Sequence, residues 1–268
     1  MSPFKEKYGP VALVAGASEG LGAARSRSLA AEGLDLVLIA RRDEPLQRIS
    51  IEIAAEYQVN VLPICCDLSS PDATSHILRA LGNTTVNCVV YNAASSFIGP
   101  FLHAPASTHA QIAAVNVSGT LQLLHALAPS MLTQKRGAVV LMSSLAGFRG
   151  SGFLATCAAS KAFIRVLAES LWYEWKSKGV DVIACCAGAT ATPNYIRSMP
   201  GKTSFAAPQP QKPEAVVKEC MRKLGKVPSF TSGSGNKLAA FLMQHIFSRK
   251  KAINIMGNST RKMYRIEY

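Results

Sequence analysis

The chain has 268 residues, 49% hydrophobic and 17% charged, which excludes a disordered polymer and suits one α/β domain with a substantial core. Lys and Arg number 29 against 16 Asp and Glu, a net charge of +13. No strip of basic residues interleaved with aromatics accompanies that charge, so nucleic acid is not an expected partner and a basic surface that attracts small anions is.

The start, "MSPFKEKYGP", has no signal-peptide pattern, and no apolar run reaches the roughly 20 residues of a membrane span. A cytoplasmic protein is expected. The seven cysteines are odd in number and lack C-x-x-C spacing, so free, mostly buried thiols are expected rather than metal ligands.

Val11–Ala15 reads as a short buried strand, followed by a helix pattern over 21–32 that Gly33 ends. Strand-like runs recur at 36–40, 59–65, 86–91, 138–142 and 180–186. Helix-length segments at 44–57, 71–81, 107–132 and 155–177 separate them. Short, continuously apolar strands alternating with helices predict a doubly wound parallel sheet, a Rossmann-type three-layer α/β/α fold, as a single domain over 1–268.

Five prolines in 191–213 predict a loop or flap past the sixth strand, read either as a substrate lid or as a plain connection. A seventh strand is expected at 227–231. Leu238, Phe241, Leu242, His245 and Ile246 then mark one helical face, followed by "SRKK", in a basic helical extension over 232–268. Such a stripe packs on the core or a subunit, the preferred reading, or rests on a membrane surface.

The chemistry starts at "AGASEGLG", Ala15–Gly22, between the first strand and the first helix. Gly16, Gly20 and Gly22 have the spacing G-x-x-x-G-x-G. Glycine permits a tight turn and close backbone approach to a diphosphate, and the helix start offers unpaired N–H groups to the anion. Ser18, Glu19 and Leu21 complete the loop, with Glu19 an unfavourable carboxylate near phosphates. The second strand ends in "IARRDE", where Arg41 and Arg42 stand in place of the acid that holds a ribose hydroxyl in NAD sites. Two guanidiniums there favour a 2′-phosphate, hence NADP(H).

From about Val11 to Thr192 these motifs resemble the short-chain dehydrogenase/reductase family. Gly16, Gly20 and Gly22 are similar to its glycine motif, Asp67 and Leu68 to the acidic pair by the adenine ring, and "NAA" at Asn92, Ala93 and Ala94 to its N-A-G. Asn116, Ser144 and Lys161 occupy positions similar to its catalytic asparagine, serine and lysine. "AGATATP", with Gly188 and Thr190, resembles its loop beside the nicotinamide. The resemblance implies carbonyl reduction by hydride from a nicotinamide, with the lysine also holding the ribose. The tail is loosely similar to members acting on steroid-like, fatty or polyketide-like ketones, which implies a bulky apolar small-molecule substrate. It also implies a homodimer or homotetramer, for which Trp172, Tyr173 and Trp175 fit either an interface or the core.

One position departs. The family's catalytic tyrosine lies four residues before its lysine, and this chain has Cys157 there. One helical turn puts Cys157 and Lys161 on one face. A thiol near Lys161 is expected to favour its thiolate. Four readings follow: a reductase whose proton travels through Ser144, a water or Cys157; a fold reused for isomerisation, elimination or cyclisation; a covalent thiol nucleophile; or an NADP(H)-sensing protein without catalysis. Phe148, Phe153 and Leu154, between Ser144 and Cys157, suit an apolar pocket or pack beneath a lid.

Overall fold

A computed structural model of the chain describes residues 2–198 and 210–267. Seven strands, β1 (Val11–Ala15), β2 (Asp35–Ala40), β3 (Val61–Cys65), β4 (Cys88–Tyr91), β5 (Gly137–Ser144), β6 (Val180–Ala187) and β7 (Ser229–Thr231), form one sheet in the order β3-β2-β1-β4-β5-β6-β7. Every pairing is parallel. The expected strands all form, shifted at most by two residues at an end.

The helices are α1 (Pro3–Tyr8), α2 (Gly20–Ala31), α3 (Asp43–Tyr57), α4 (Ala73–Leu81), α5 (Ala106–Ala113), α6 (Gly119–Gln134), α7 (Ala155–Lys176), α8 (Pro193–Ser198), α9 (Pro213–Lys223), α10 (Ser234–Phe241) and α11 (Arg249–Met263). Strand side chains alternate between faces. Leu13 and Ala15 of β1 join the core under α4, α6 and α7, with Ile77, Leu124 and Ile164. Ala12 and Val14 join the opposite core under α2, α3 and α9, with Leu29, Ile53 and Val216. Both faces of the sheet are thus covered, as a parallel sheet requires. The strand order reverses between β1 and β4, which opens a crevice beyond their carboxyl ends.

The helical run over 106–134 is apolar and long enough to cross a membrane by length and composition. Its apolar residues recur at helical spacing, and Leu123, Leu124, Leu127 and Met131 are buried against the sheet, the work of a core helix. Of the stripe in the tail, Leu238, Phe241 and Ile246 are exposed and do not pack on this chain's own core. Trp175 is core, while Tyr173 is 80% exposed. The segment 191–213 opens with α8, and Thr190 bridges Gln211 beyond it; residues 199–209 of the expected lid lie outside those described.

Five of the thiols are buried, Cys157 is half-buried and Cys65 is exposed. Three of the buried thiols, Cys88, Cys185 and Cys220, lie around the buried guanidinium of Arg25. Cys185, then Arg25, hold the Cys220 thiol below its ordinary range.

Candidate functional site

The crevice at the β1–β4 switch is a cleft of about 520 Å³. Gly16, Ser18, Glu19, Gly20, Leu21, Arg41, Arg42, Asp67, Leu68, Asn92, Ala93 and Ala94 line it, all of them expected from the sequence. Gly16 has φ +81°, and a Cβ there would sit 2.7 Å from the Ala93 backbone. Gly22 lines no part of the cleft. A Cβ on it would come 1.9 Å from the Gly16 carbonyl oxygen, so its role is to let α2 start against the loop. Asn92 Nδ2 donates to that same oxygen at 2.9 Å and locks the loop's inner edge. Glu19, at the N-cap of α2, makes no side-chain capping bond, which leaves the first-turn N–H groups open toward the cleft.

Glu19 is held rather than loose. Its carboxylate meets Arg42 Nη2 at 2.9 Å and Arg197 Nη2 at 2.7 Å, and these bonds, Arg197 first, keep it below the usual carboxylate range. Asp67 is also lowered, because its carboxylate accepts from the Ser69 backbone at 2.9 Å and the Ser69 hydroxyl at 2.7 Å. Sequence reasoning missed Cys66, Ser95, Ser96, Gln111, Val115, Thr192, Asn194 and Arg197, which together with Ala40 complete the lining. Ser95 and Ser96 directly follow the asparagine motif, the one local signal that pointed to them.

A second group lies beside β5. Lys161 is 9% exposed, and its Nζ donates to the Met142 carbonyl at 2.7 Å. Burial lowers its pKa. Ser143 Oγ donates to the Lys161 carbonyl at 2.7 Å, and Gly147 lets the turn 145–148 press on the backbone of Lys161 and Ala162. Asn116 sits in a π-helical turn, Ala114–Ser118, between α5 and α6. It receives the Ser95 N–H at 2.8 Å and donates at 2.9 Å to both the Ser95 carbonyl and Ser160 Oγ. Ser160 Oγ donates in turn to the Cys157 carbonyl at 2.7 Å. The turn of α7 that carries Cys157 is thereby tied to the loop after β4. Ser144 Oγ accepts from the Ala146 N–H at 3.3 Å. The expected thiolate is corrected: Lys161 does pull the Cys157 pKa down, but burial outweighs it and the net shift is upward. Gly188 and Thr190 turn toward Asn236 and Gln211, away from the set that lines the cleft.

The C-terminal helices roof the loop between Ser144 and Cys157. Arg149 Nη2 donates to the Gln244 carbonyl at 2.9 Å; Gly150 faces Ile253, and Gly152 faces Gly257. Phe148 lies half-buried under the Arg165 guanidinium, 5.0 Å from its ring centre. Gly99 donates to the Phe153 carbonyl at 2.9 Å, so the loop after β4 forms the other wall.

A glycine-lined cleft at the switch point, with Asn, Ser and Lys gathered beside it, is the arrangement of a dinucleotide-dependent oxidoreductase. The chain belongs to the short-chain dehydrogenase family, whose model matches residues 10–202. It is 32% identical to a 7beta-hydroxysteroid dehydrogenase of Mediterraneibacter gnavus, over 95% of this chain and 98% of that protein. It is also 30% identical to the "Inactive hydroxysteroid dehydrogenase-like protein 1" of Rattus norvegicus, over 77% of this chain and 64% of that protein. A solved structure from work on 7beta-hydroxysteroid dehydrogenase stereoselectivity superposes with a TM-score of 0.89 at 31% identity, covering 96% of this chain and 99% of the other. A short-chain dehydrogenase from Sphingobium yanoikuyae in complex with NADPH superposes with a TM-score of 0.74 at 25% identity, covering 83% and 87%.

Proposed function

We propose that the protein is an NADP(H)-dependent reductase of a bulky, apolar carbonyl compound, with an altered proton relay. The observation that carries the reading is the pair Arg41 and Arg42 lining the same cleft as the glycine loop and the open start of α2. Their guanidiniums suit a 2′-phosphate, the N–H groups suit a diphosphate, and Asp67 suits an adenine amino group. The NADPH held by the Sphingobium structure supports the same cofactor. The hydroxysteroid substrate class of the Mediterraneibacter relative supports a bulky apolar ketone.

When bound, the cofactor supplies a hydride to a carbonyl carbon. The chain's own part is to hold that carbonyl and to move a proton to its oxygen. Ser144, at the end of β5, orients the oxygen. Cys157 stands where a tyrosine is the family's acid; its half-buried thiol keeps its proton and reaches less far than a phenol. Ser144 or a water between thiol and carbonyl completes the path. Asn116 and Ser160 hold the Cys157 turn in place.

One observation favours a second reading. Cys157 stands where the family has its tyrosine acid, with its thiol pKa raised by burial, and a relative 30% identical to this chain is named as inactive. That combination suits a binder of NADP(H) without redox turnover, or a site reused for isomerisation, elimination or cyclisation.

Fluorescence titration with NADPH, followed by NADPH oxidation with a panel of steroid and fatty ketones, decides between them, for the natural chain and for Cys157→Tyr. Turnover by the natural chain supports the altered relay. Binding without turnover, with activity appearing in Cys157→Tyr, overturns it in favour of the second reading. No NADPH binding at all sinks the reductase and the NADP(H) binder alike and leaves the non-redox reuse of the site.

A further inference from the structure

We infer that the outer face of α10 and the turn after it is a docking surface for an anionic lipid bilayer. Leu238 is 61% exposed, Phe241 53% and Ile246 60%. Leu238 and Phe241 stand three residues apart on one helix face. The His245 ring lies tilted beside Phe241, ring centres 5.1 Å apart, which carries the row onward to Ile246 through the π-helical turn Leu242–Ile246. Large apolar side chains gathered within nine residues, on a surface that no other described segment covers, mark a contact site rather than scattered exposure.

Charge identifies what covers it. Arg249, Lys250 and Lys251 follow at once and are all exposed. Lys251 Nζ lies over the Phe247 ring at 4.7 Å, so a cation borders the apolar row directly. From 232 to 267 the chain has seven Lys or Arg and a single acid, Glu267. An apolar stripe rimmed by cations matches a headgroup region with acyl chains beneath it. A second copy of the chain fits poorly: a two-fold contact through this face would set each Arg249–Lys251 run near its own image, on molecules of net charge +13. The surface is also coupled to the site, because Gln244 accepts from Arg149 and α11 covers Gly150 and Gly152. A molecule seated this way takes an apolar substrate from the bilayer beside its own roof.

The test is co-sedimentation of the full chain with vesicles of phosphatidylcholine, with and without phosphatidylserine. Binding is expected only to the mixed vesicles, weakening as salt is raised. Leu238→Ser/Phe241→Ser/Ile246→Ser should abolish it. Arg249→Gln/Lys250→Gln/Lys251→Gln should reduce partitioning roughly a hundredfold. Absence of binding, or binding that both variants retain, overturns the inference. So does a drop in the light-scattering mass of the apolar variant without any vesicle binding, which assigns the face to a second copy. NADPH titration of the same variants should match the natural chain, so the surface and the proposed cofactor site fail or stand separately.

Discussion

At residue scale, the tension of the site sits in Cys157. Its pKa is raised by burial against the pull of Lys161. An acid with a raised pKa holds its proton through the neutral range and ionises only above the ordinary thiol value of about 8.5. Iodoacetamide at neutral pH should therefore alkylate exposed Cys65 well before Cys157. The Cys157 rate should climb only in the alkaline range, as peptide mass mapping would record. Faster labelling of Cys157 at neutral pH would mean a thiolate, and would return the covalent nucleophile to the front. The sequence made the position of this residue plain through its spacing to Lys161. It hid the direction of the shift, because burial depends on tertiary packing that no local pattern shows.

At the scale of elements, the π-helical turn Ala114–Ser118 matters most. It turns Asn116 inward, where both ends of the amide are satisfied by Ser95 and Ser160. Asn116→Ala leaves those groups buried without their partner and should cost about 1–3 kcal/mol in urea unfolding. It should also loosen the Cys157 turn through Ser160. A loss below a few tenths of a kcal/mol would show that the network is not structural. The helix itself was legible as one run over 107–132, but the π turn was not: one extra residue per turn changes neither composition nor apolar spacing enough to be seen. Strands and glycine loop were legible because each is a local pattern, a short apolar run or a fixed spacing. Arg197 and the roof of α11 were not, since they meet Glu19 and Gly152 across large stretches of chain that no local pattern connects.

At the scale of the whole molecule, the net charge of +13 draws anions toward a cleft lined by Arg41, Arg42 and Arg197. Glu19 works against that field by occupying two of the three guanidiniums. Glu19→Gln should bind NADPH several-fold more tightly at low salt, with the gain shrinking as salt rises. Equal affinity in fluorescence titrations at both salt levels would remove Glu19 from the cofactor's electrostatics. The charge was readable from composition alone, whereas its focusing depends on α8 coming back over the loop.

The order β3-β2-β1-β4 has a kinetic consequence. β1 closes on β4 only after two intervening strand–helix units have been made, with Ala12 opposite Cys88 and Ala15 opposite Tyr91. Such distant pairings make for slow, cooperative assembly. Gly16 has no Ala93 to press against until that pairing is made, so a nascent chain has no half-formed pocket to be rescued by ligand. A ligand of that cleft would meet its pocket only once the centre of the sheet had closed.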